Sequence, residues 1–121
     1  MAEPDWVGTT WRVEEIEGHP LAKGTISTLG FPETGRVAGL AACNRYTGSV
    51  VLKGERIVSL GPLAATRMMC PPPVMEQEQR FMVALERARR LQRDGERLIV
   101  FGEDESQPLM RLRPAPIDED A

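Results

Sequence analysis

The sequence predicts a small α+β domain that is mainly antiparallel β. We expect a curved or closed, barrel-like sheet of about seven to eight strands with one main helix packed against it. Short strand-like segments separated by turns fill residues 11–60, a segment without Gly or Pro follows at 74–93, and two more strand-like segments come after it. A chain of 121 residues favours one domain, which we place at 1–113, with a disordered acidic tail at 114–121.

Five strand candidates lie in the first sixty residues, and Gly, Pro or charged turns separate them. They are residues 11–16, 25–31, 36–40, 46–52 and 55–60. Lys53-Gly54 between the last two indicates a compact hairpin. His19, between Gly18 and Pro20, is typical of an exposed turn and not of a catalytic site.

The segment from Val74 to about Arg93 predicts the main helix. Three prolines at 71–73 precede it, where proline suits a first helical turn but cannot continue a strand ladder. One stripe with helical spacing carries apolar residues and a single carboxylate: Val74, Glu78, Phe81, Leu85 and Ala88. Asp94-Gly95 ends the helix, and strands are expected at 97–101 and 108–112.

Composition and charge exclude several classes of function. The net charge of -3 argues against nucleic-acid binding, and no apolar run approaches the roughly 20 residues of a transmembrane helix. One histidine and two cysteines cannot form a Cys/His zinc site without carboxylates, and they leave little for a histidine-based triad. We therefore expect no catalytic, metal or cofactor site. The first residues lack a signal peptide, so the chain is either cytosolic or follows a removed leader.

The two cysteines, Cys43 and Cys70, admit three interpretations. A disulfide between them would lower the conformational entropy of the unfolded chain and so stabilise the fold by about 3.6 kcal/mol. It requires an oxidising compartment. Two buried free thiols would behave as small apolar side chains. A redox-active pair, with Asn44 and Glu78 nearby, is the enzymatic alternative, although no C-x-x-C motif supports it.

Asn44 and Glu78 are polar residues for which we expect structural roles. Asn suits a strand–loop junction because its side chain can bond loose backbone groups. A carboxylate on the apolar stripe of a helix needs donors, and Arg45, Arg67 or the backbone of the Asn44 loop could supply them. We interpret Glu78 as a pin between helix and sheet and not as a catalytic acid.

Several separated motifs resemble the META domain family, which includes the bacterial HslJ heat-shock proteins. The segment Gly39–Gly48 reads GLAACNRYTG, and the segment Thr66–Cys70 reads TRMMC. The matching residues, in addition to the two cysteines, are Trp11, Gly39, Asn44, Tyr46, Gly48, Thr66, Arg67, Met68, Glu78, Phe81 and Leu85. The chain departs from the pattern at Ala42, where the family usually has glycine, which argues against a left-handed turn there.

The resemblance implies a small antiparallel barrel closed by a helix, structural roles for the motif residues, and a disulfide, since both cysteines lie in the motifs. It also implies a non-enzymatic, heat-stress-associated domain of the cell envelope or periplasm, with the cytoplasm left open. We expect a monomer that binds a polypeptide or an apolar ligand.

Four methionines near the helix start suggest where such a partner could bind. Core filling is the commoner role of methionine, but it also lines adaptable binding surfaces. The alternative is therefore an apolar binding patch, which Trp6 could share, formed by Met68, Met69, Met75 and Met82.

Overall fold

Eight antiparallel strands close into a barrel in the computed structural model, which describes residues 6–115. The strand order is β1-β3-β4-β5-β6-β7-β8-β9, and β9 returns to pair with β1, while the short β2 forms a hairpin with the end of β1. This architecture confirms the predicted α+β barrel. The elements are β1 (Thr10–Ile16), β2 (His19–Pro20), β3 (Thr28–Gly30), β4 (Arg36–Leu40), β5 (Arg45–Lys53), β6 (Arg56–Ala65), α1 (Pro72–Arg87), β7 (Arg90–Asp94), β8 (Arg97–Phe101) and β9 (Met110–Pro114).

The strand predictions hold best where a turn residue lies directly beside the strand. β4 and β8 coincide with the predicted ranges 36–40 and 97–101. β3 is shorter than the predicted 25–31, because Thr25 bonds back to the Ala22 carbonyl oxygen and closes a turn. β6 runs past the predicted end at residue 60 to Ala65 and includes a cis peptide bond at Gly61-Pro62.

The prediction that the helix continues to about Arg93 was wrong. α1 ends at Arg87, Ala88 takes an extended conformation (φ -63°, ψ 135°), and residues 90–94 form β7. The Arg89 backbone N–H donates to Phe101 O at 2.7 Å, and β7 pairs with β8 across the turn at Gly95-Glu96. Closure of the barrel needs this strand, so tertiary pairing overrides the local helical preference.

The buried face of α1 is rotated from the predicted stripe. Val74 is only half-buried, whereas Gln77 is 2% exposed and shares the buried face with Phe81, Ala84 and Leu85. Gln77 Oε1 accepts a hydrogen bond from the Ala22 backbone N–H at 3.0 Å, which ties the helix to the segment before β3. Gln77 lies four residues before Phe81 and therefore on the same face of the helix, but an apolar pattern does not include it because glutamine is polar.

Between β3 and β4, where there is little backbone pairing, side-chain hydrogen bonds reinforce the barrel. These strands share a single residue pair, Gly30 with Ala38. The buried Ser27 hydroxyl donates to Ala41 O at 2.7 Å, and the buried Thr28 hydroxyl accepts from the Leu40 N–H at 2.9 Å. These two polar side chains therefore take the place of ladder hydrogen bonds.

Aromatic and aliphatic side chains fill the barrel. Trp6 is 3% exposed, so it belongs to the core and not to an open binding surface.

His19 is exposed, as expected, although it lies in β2. Of the predicted tail at 114–121, Pro114 belongs to β9 and the Ala115 N–H donates to Thr10 O at 2.9 Å, while residues 116–121 lie outside the described residues. Between residues 6 and 115, no helix has the length and apolar character needed to span a membrane.

Candidate functional site

The loop between β4 and β5 positions the residues of the first motif. Ala41 N–H donates to Asn44 O at 2.8 Å, which closes a tight turn after β4. Between residues 6 and 115, Glu17 is the one non-glycine residue with a positive φ angle. Ala42 therefore has a negative φ angle. The turn therefore has no need of glycine at position 42. Cys43 and Asn44 are 6% and 2% exposed, so their backbone groups need partners within the protein.

Glu78 on α1 supplies those partners. Its Oε1 accepts hydrogen bonds from the backbone N–H groups of Cys43 at 2.9 Å and Asn44 at 2.7 Å. Its Oε2 accepts from the Asn44 side-chain amide at 2.8 Å. The half-buried carboxylate thus joins the helix to the loop through three charge-assisted hydrogen bonds. The donors are the loop backbone and the Asn44 amide.

The Asn44 side chain uses both of its donors and both acceptor positions of its oxygen. Besides Glu78, its Nδ2 donates to Met68 O at 3.1 Å. Its Oδ1 accepts from the Met68 N–H at 2.6 Å and from the Thr66 hydroxyl at 2.9 Å. Asn44 therefore holds both backbone groups of Met68, as a neighbouring strand would. We call Asn44, Glu78, Thr66 and the backbone of Met68 the Asn44 network.

A disulfide between Cys43 and Cys70 lies beside this network. The S–S distance is 2.05 Å and the Cα atoms are 6.1 Å apart. Cys70 directly precedes Pro71, the N-cap residue of α1, so the bond joins the β4–β5 loop to the helix entry. The loop, the segment after β6 and the helix are thereby connected covalently and by hydrogen bonds.

Most of the remaining motif residues support the barrel from inside. The Tyr46 hydroxyl donates to Thr28 O at 2.8 Å, and the Tyr46 ring lies 5.5 Å from that of Phe81. A Cβ atom at Gly39 would lie 2.5 Å from Thr28 O, so only glycine allows this approach of β3 and β4. Trp11 and Leu85 are core residues, Gly48 packs against β6 at Leu63, and Arg67 is exposed.

The structure separates the four methionines of the predicted patch. Met82 packs against the core and Met75 is half-buried. Met68 and Met69 are 56% and 85% exposed, although the Asn44 network fixes the backbone of Met68. The surface available to a partner is therefore the Met68–Met69 pair.

Ionisable groups with shifted pKa values lie elsewhere on the barrel. The hydrogen bond from Arg90 lowers the pKa of Glu105, and the same contact raises the pKa of Arg90. Arg90 Nε and Glu105 Oε2 are 2.9 Å apart in an ion pair at the surface. In the described part of the chain, no group of three or more His, Cys, Asp or Glu side chains is placed to hold a metal ion.

Comparisons with known proteins agree on the fold. The model of the META domain family matches residues 4–115. No curated protein sequence matches the chain. An NMR structure of a protein from Burkholderia xenovorans is similar, with a TM-score of 0.71, 22% identity, and coverage of 95% of this chain and 93% of that one. A second NMR structure has a TM-score of 0.69 and 22% identity, covering 93% and 95% of the two chains. At this identity the likeness concerns the fold alone.

Proposed function

Because the chain belongs to the META domain family, we propose that it is a non-enzymatic binding domain of the cell envelope. It binds polypeptide segments that become exposed during heat stress, and it does so through Met68 and Met69. The observation that carries this proposal is the exposure of these two apolar side chains on a segment that the Asn44 network fixes at Met68 and the disulfide fixes at Cys70.

A fixed backbone with flexible side chains suits the recognition of varied apolar sequences. The thioether side chain of methionine adapts to partners of different shape, which is why methionine is common on promiscuous binding surfaces. Because the segment is already ordered, its binding costs less conformational entropy than that of a mobile loop. Met69, 85% exposed, cannot enclose a small molecule, so an extended polypeptide fits this surface better.

The disulfide supports the proposed location. Disulfides persist in oxidising compartments such as the periplasm and are rare in the cytosol. Fractionation of the source cells, with thiols alkylated at lysis, tests this part of the proposal. Oxidised protein in the envelope fraction is expected, and reduced protein in the cytosol would contradict it.

Binding is tested with a fluorescein-labelled unfolded polypeptide, reduced and carboxymethylated lactalbumin, followed by fluorescence anisotropy. We expect saturable binding that weakens at least tenfold in the Met68→Glu/Met69→Glu variant, since charges replace the apolar contact. Val83→Glu is the matched control, because Val83 is an exposed apolar residue (43%) on α1. Absence of binding, or equal weakening in the control, would contradict the proposal.

A further inference from the structure

Met68 and Met69 are the two exposed methionines between residues 6 and 115. Met75 and Met82 are half-buried, and Met110 is buried in the core. The two cysteines of the chain are joined in the disulfide, so neither presents a thiol to solvent. The sulfur groups that this part of the chain offers to a dissolved reagent are therefore two adjacent thioethers.

A peroxide oxidises a thioether to a sulfoxide by transfer of one oxygen atom. A lone pair of the sulfur attacks one peroxide oxygen, and the O–O bond breaks as the S–O bond forms. The other oxygen leaves as hydroxide, which takes the proton of the first and becomes water. The sulfur thus loses two electrons and the peroxide gains them. Because the oxidant must reach the sulfur, an exposed methionine reacts in the native state, whereas a buried one reacts only after local opening of the fold.

Oxygen added to these two side chains leaves intact the contacts that hold the segment. Asn44 bonds the backbone N–H and C=O of Met68, at 2.6 and 3.1 Å, and these bonds do not use the thioether. The Thr66 N–H donates to Arg45 O at 3.0 Å, and the disulfide holds Cys70. Because both methionine side chains are exposed, the added oxygen meets water and not the core. Oxidation should therefore change the surface of the protein without unfolding it.

The sulfoxide changes the chemistry of the Met68–Met69 pair. It converts a flexible apolar side chain into a polar one. Burying such a group against an apolar polypeptide segment costs free energy, because the sulfoxide oxygen loses its hydrogen bonds to water. Methionine sulfoxide reductases return the sulfoxide to the thioether, so the change is reversible.

We propose that Met68 and Met69 form a reversible oxidation site, at which a peroxide converts two exposed thioethers to sulfoxides and so releases the bound polypeptide. The release rests on the function proposed above, whereas the selective oxidation does not.

Mass spectrometry of the full chain treated with hydrogen peroxide tests the oxidation site. After reduction and tryptic digestion, Met68, Met69 and Met75 lie on the peptide 68–80, Met82 on 81–87 and Met110 on 98–111, and fragmentation assigns each sulfoxide. We expect Met68 and Met69 to be oxidised at least about tenfold faster than Met82 and Met110, and this ratio should fall to about one in urea. The oxidised protein should melt within about 3 °C of the untreated protein. Native-state oxidation of Met82 or Met110 as fast as that of Met69, or unfolding when the pair is oxidised, would overturn the site.

Fluorescence anisotropy with the carboxymethylated lactalbumin probe tests the release, and catalase removes the peroxide before the probe is added. Peroxide treatment should weaken binding to the wild-type chain about five- to tenfold, and methionine sulfoxide reductases should restore it. The Met68→Leu/Met69→Leu variant has apolar side chains without sulfur, so the same treatment should change its own affinity less than about twofold.

A similar loss of binding in the leucine variant, or a loss that persists after the thioethers return, would overturn the release. Absence of binding before peroxide treatment would instead contradict the proposed function, and the mass spectra would still decide the oxidation site.

Discussion

Replacing Glu78 with alanine should destabilise the protein by about 3 kcal/mol. The change removes three acceptor contacts and leaves two backbone N–H groups, those of Cys43 and Asn44, buried without a partner. Each unsatisfied buried donor costs about 1–3 kcal/mol. Water can reach the half-exposed site after truncation and recovers part of this cost, so the total lies in the lower half of the summed range of about 2–6 kcal/mol for the two donors.

This loss corresponds to a fall in melting temperature of roughly 10–15 °C for a domain of this size. Urea unfolding at pH 7, followed by tryptophan fluorescence, and calorimetry measure the two quantities. Glu78→Gln keeps an oxygen for the backbone donors, but turns an amide toward Asn44, and should be intermediate. Glu76→Ala is the matched control, because Glu76 is an exposed glutamate on the same helix and should change stability by less than about 0.5 kcal/mol. If Glu78→Ala and Glu76→Ala unfold at the same urea concentration, the pinning role of Glu78 is refuted.

Three further changes probe other parts of the structure. Replacing both disulfide cysteines with alanine should lower the free energy of unfolding by about 3–4 kcal/mol in urea titrations; a loss below about 1 kcal/mol, or ready reduction of the native disulfide, would favour the redox alternative. Gly39→Ala should cost about 1–3 kcal/mol by calorimetry, because the added methyl would meet Thr28 O, and unchanged stability would show that β3 and β4 separate easily. Since Arg90 lowers the pKa of Glu105 in the folded state, that pair stabilises the protein above the ordinary glutamate range and stops doing so as the pH falls through the lowered pKa. Glu105→Gln should therefore flatten the acid side of the stability profile, and an unchanged acid limb would contradict this effect.

The sequence predicted best those features that depend on local turn chemistry. The hairpin at Lys53-Gly54 and the strands at 36–40 and 97–101 are bounded by residues whose backbone preferences act within a few positions. The end of the helix was predicted wrongly because Asp94-Gly95 was interpreted as a helix stop. The same dipeptide is a local hairpin signal, and Arg90 and Leu91 pair with β8 across the turn that it begins.

The candidate site was predictable in its residues but not in its contacts. The spacing of Glu78 on the helix indicated a carboxylate that faces the sheet, and the backbone of the Asn44 loop was one of the expected donors. Nothing local selected that backbone over Arg45 or Arg67. The four-point bonding of Asn44 also depends on where β6 ends, which is five residues beyond the predicted end. Trp6 was expected as a possible neighbour of the methionine patch but packs in the core against Trp11 and Phe31, because those contacts form only when β1 and β3 pair.

Two neighbouring strand pairs in the barrel have little backbone pairing: β3 with β4, and β6 with β7. They divide the barrel into two groups of strands, of which β4–β6 is one. Each of these strand pairs shares a single residue pair, Gly30 with Ala38 and Arg56 with Arg90. The disulfide joins the β4–β6 group at Cys43, in the β4–β5 loop, to Cys70 in the link between β6 and α1. Thermal fluctuations should therefore open the barrel first between β6 and β7, while the side-chain bonds of Ser27 and Thr28 keep β4 joined to β3 and let β4–β6 move as one hinged panel. Four motif residues, Gly39, Asn44, Tyr46 and Gly48, lie in that panel, and the hydrogen bonds from Cys43 and Asn44 to Glu78 brace the panel against α1.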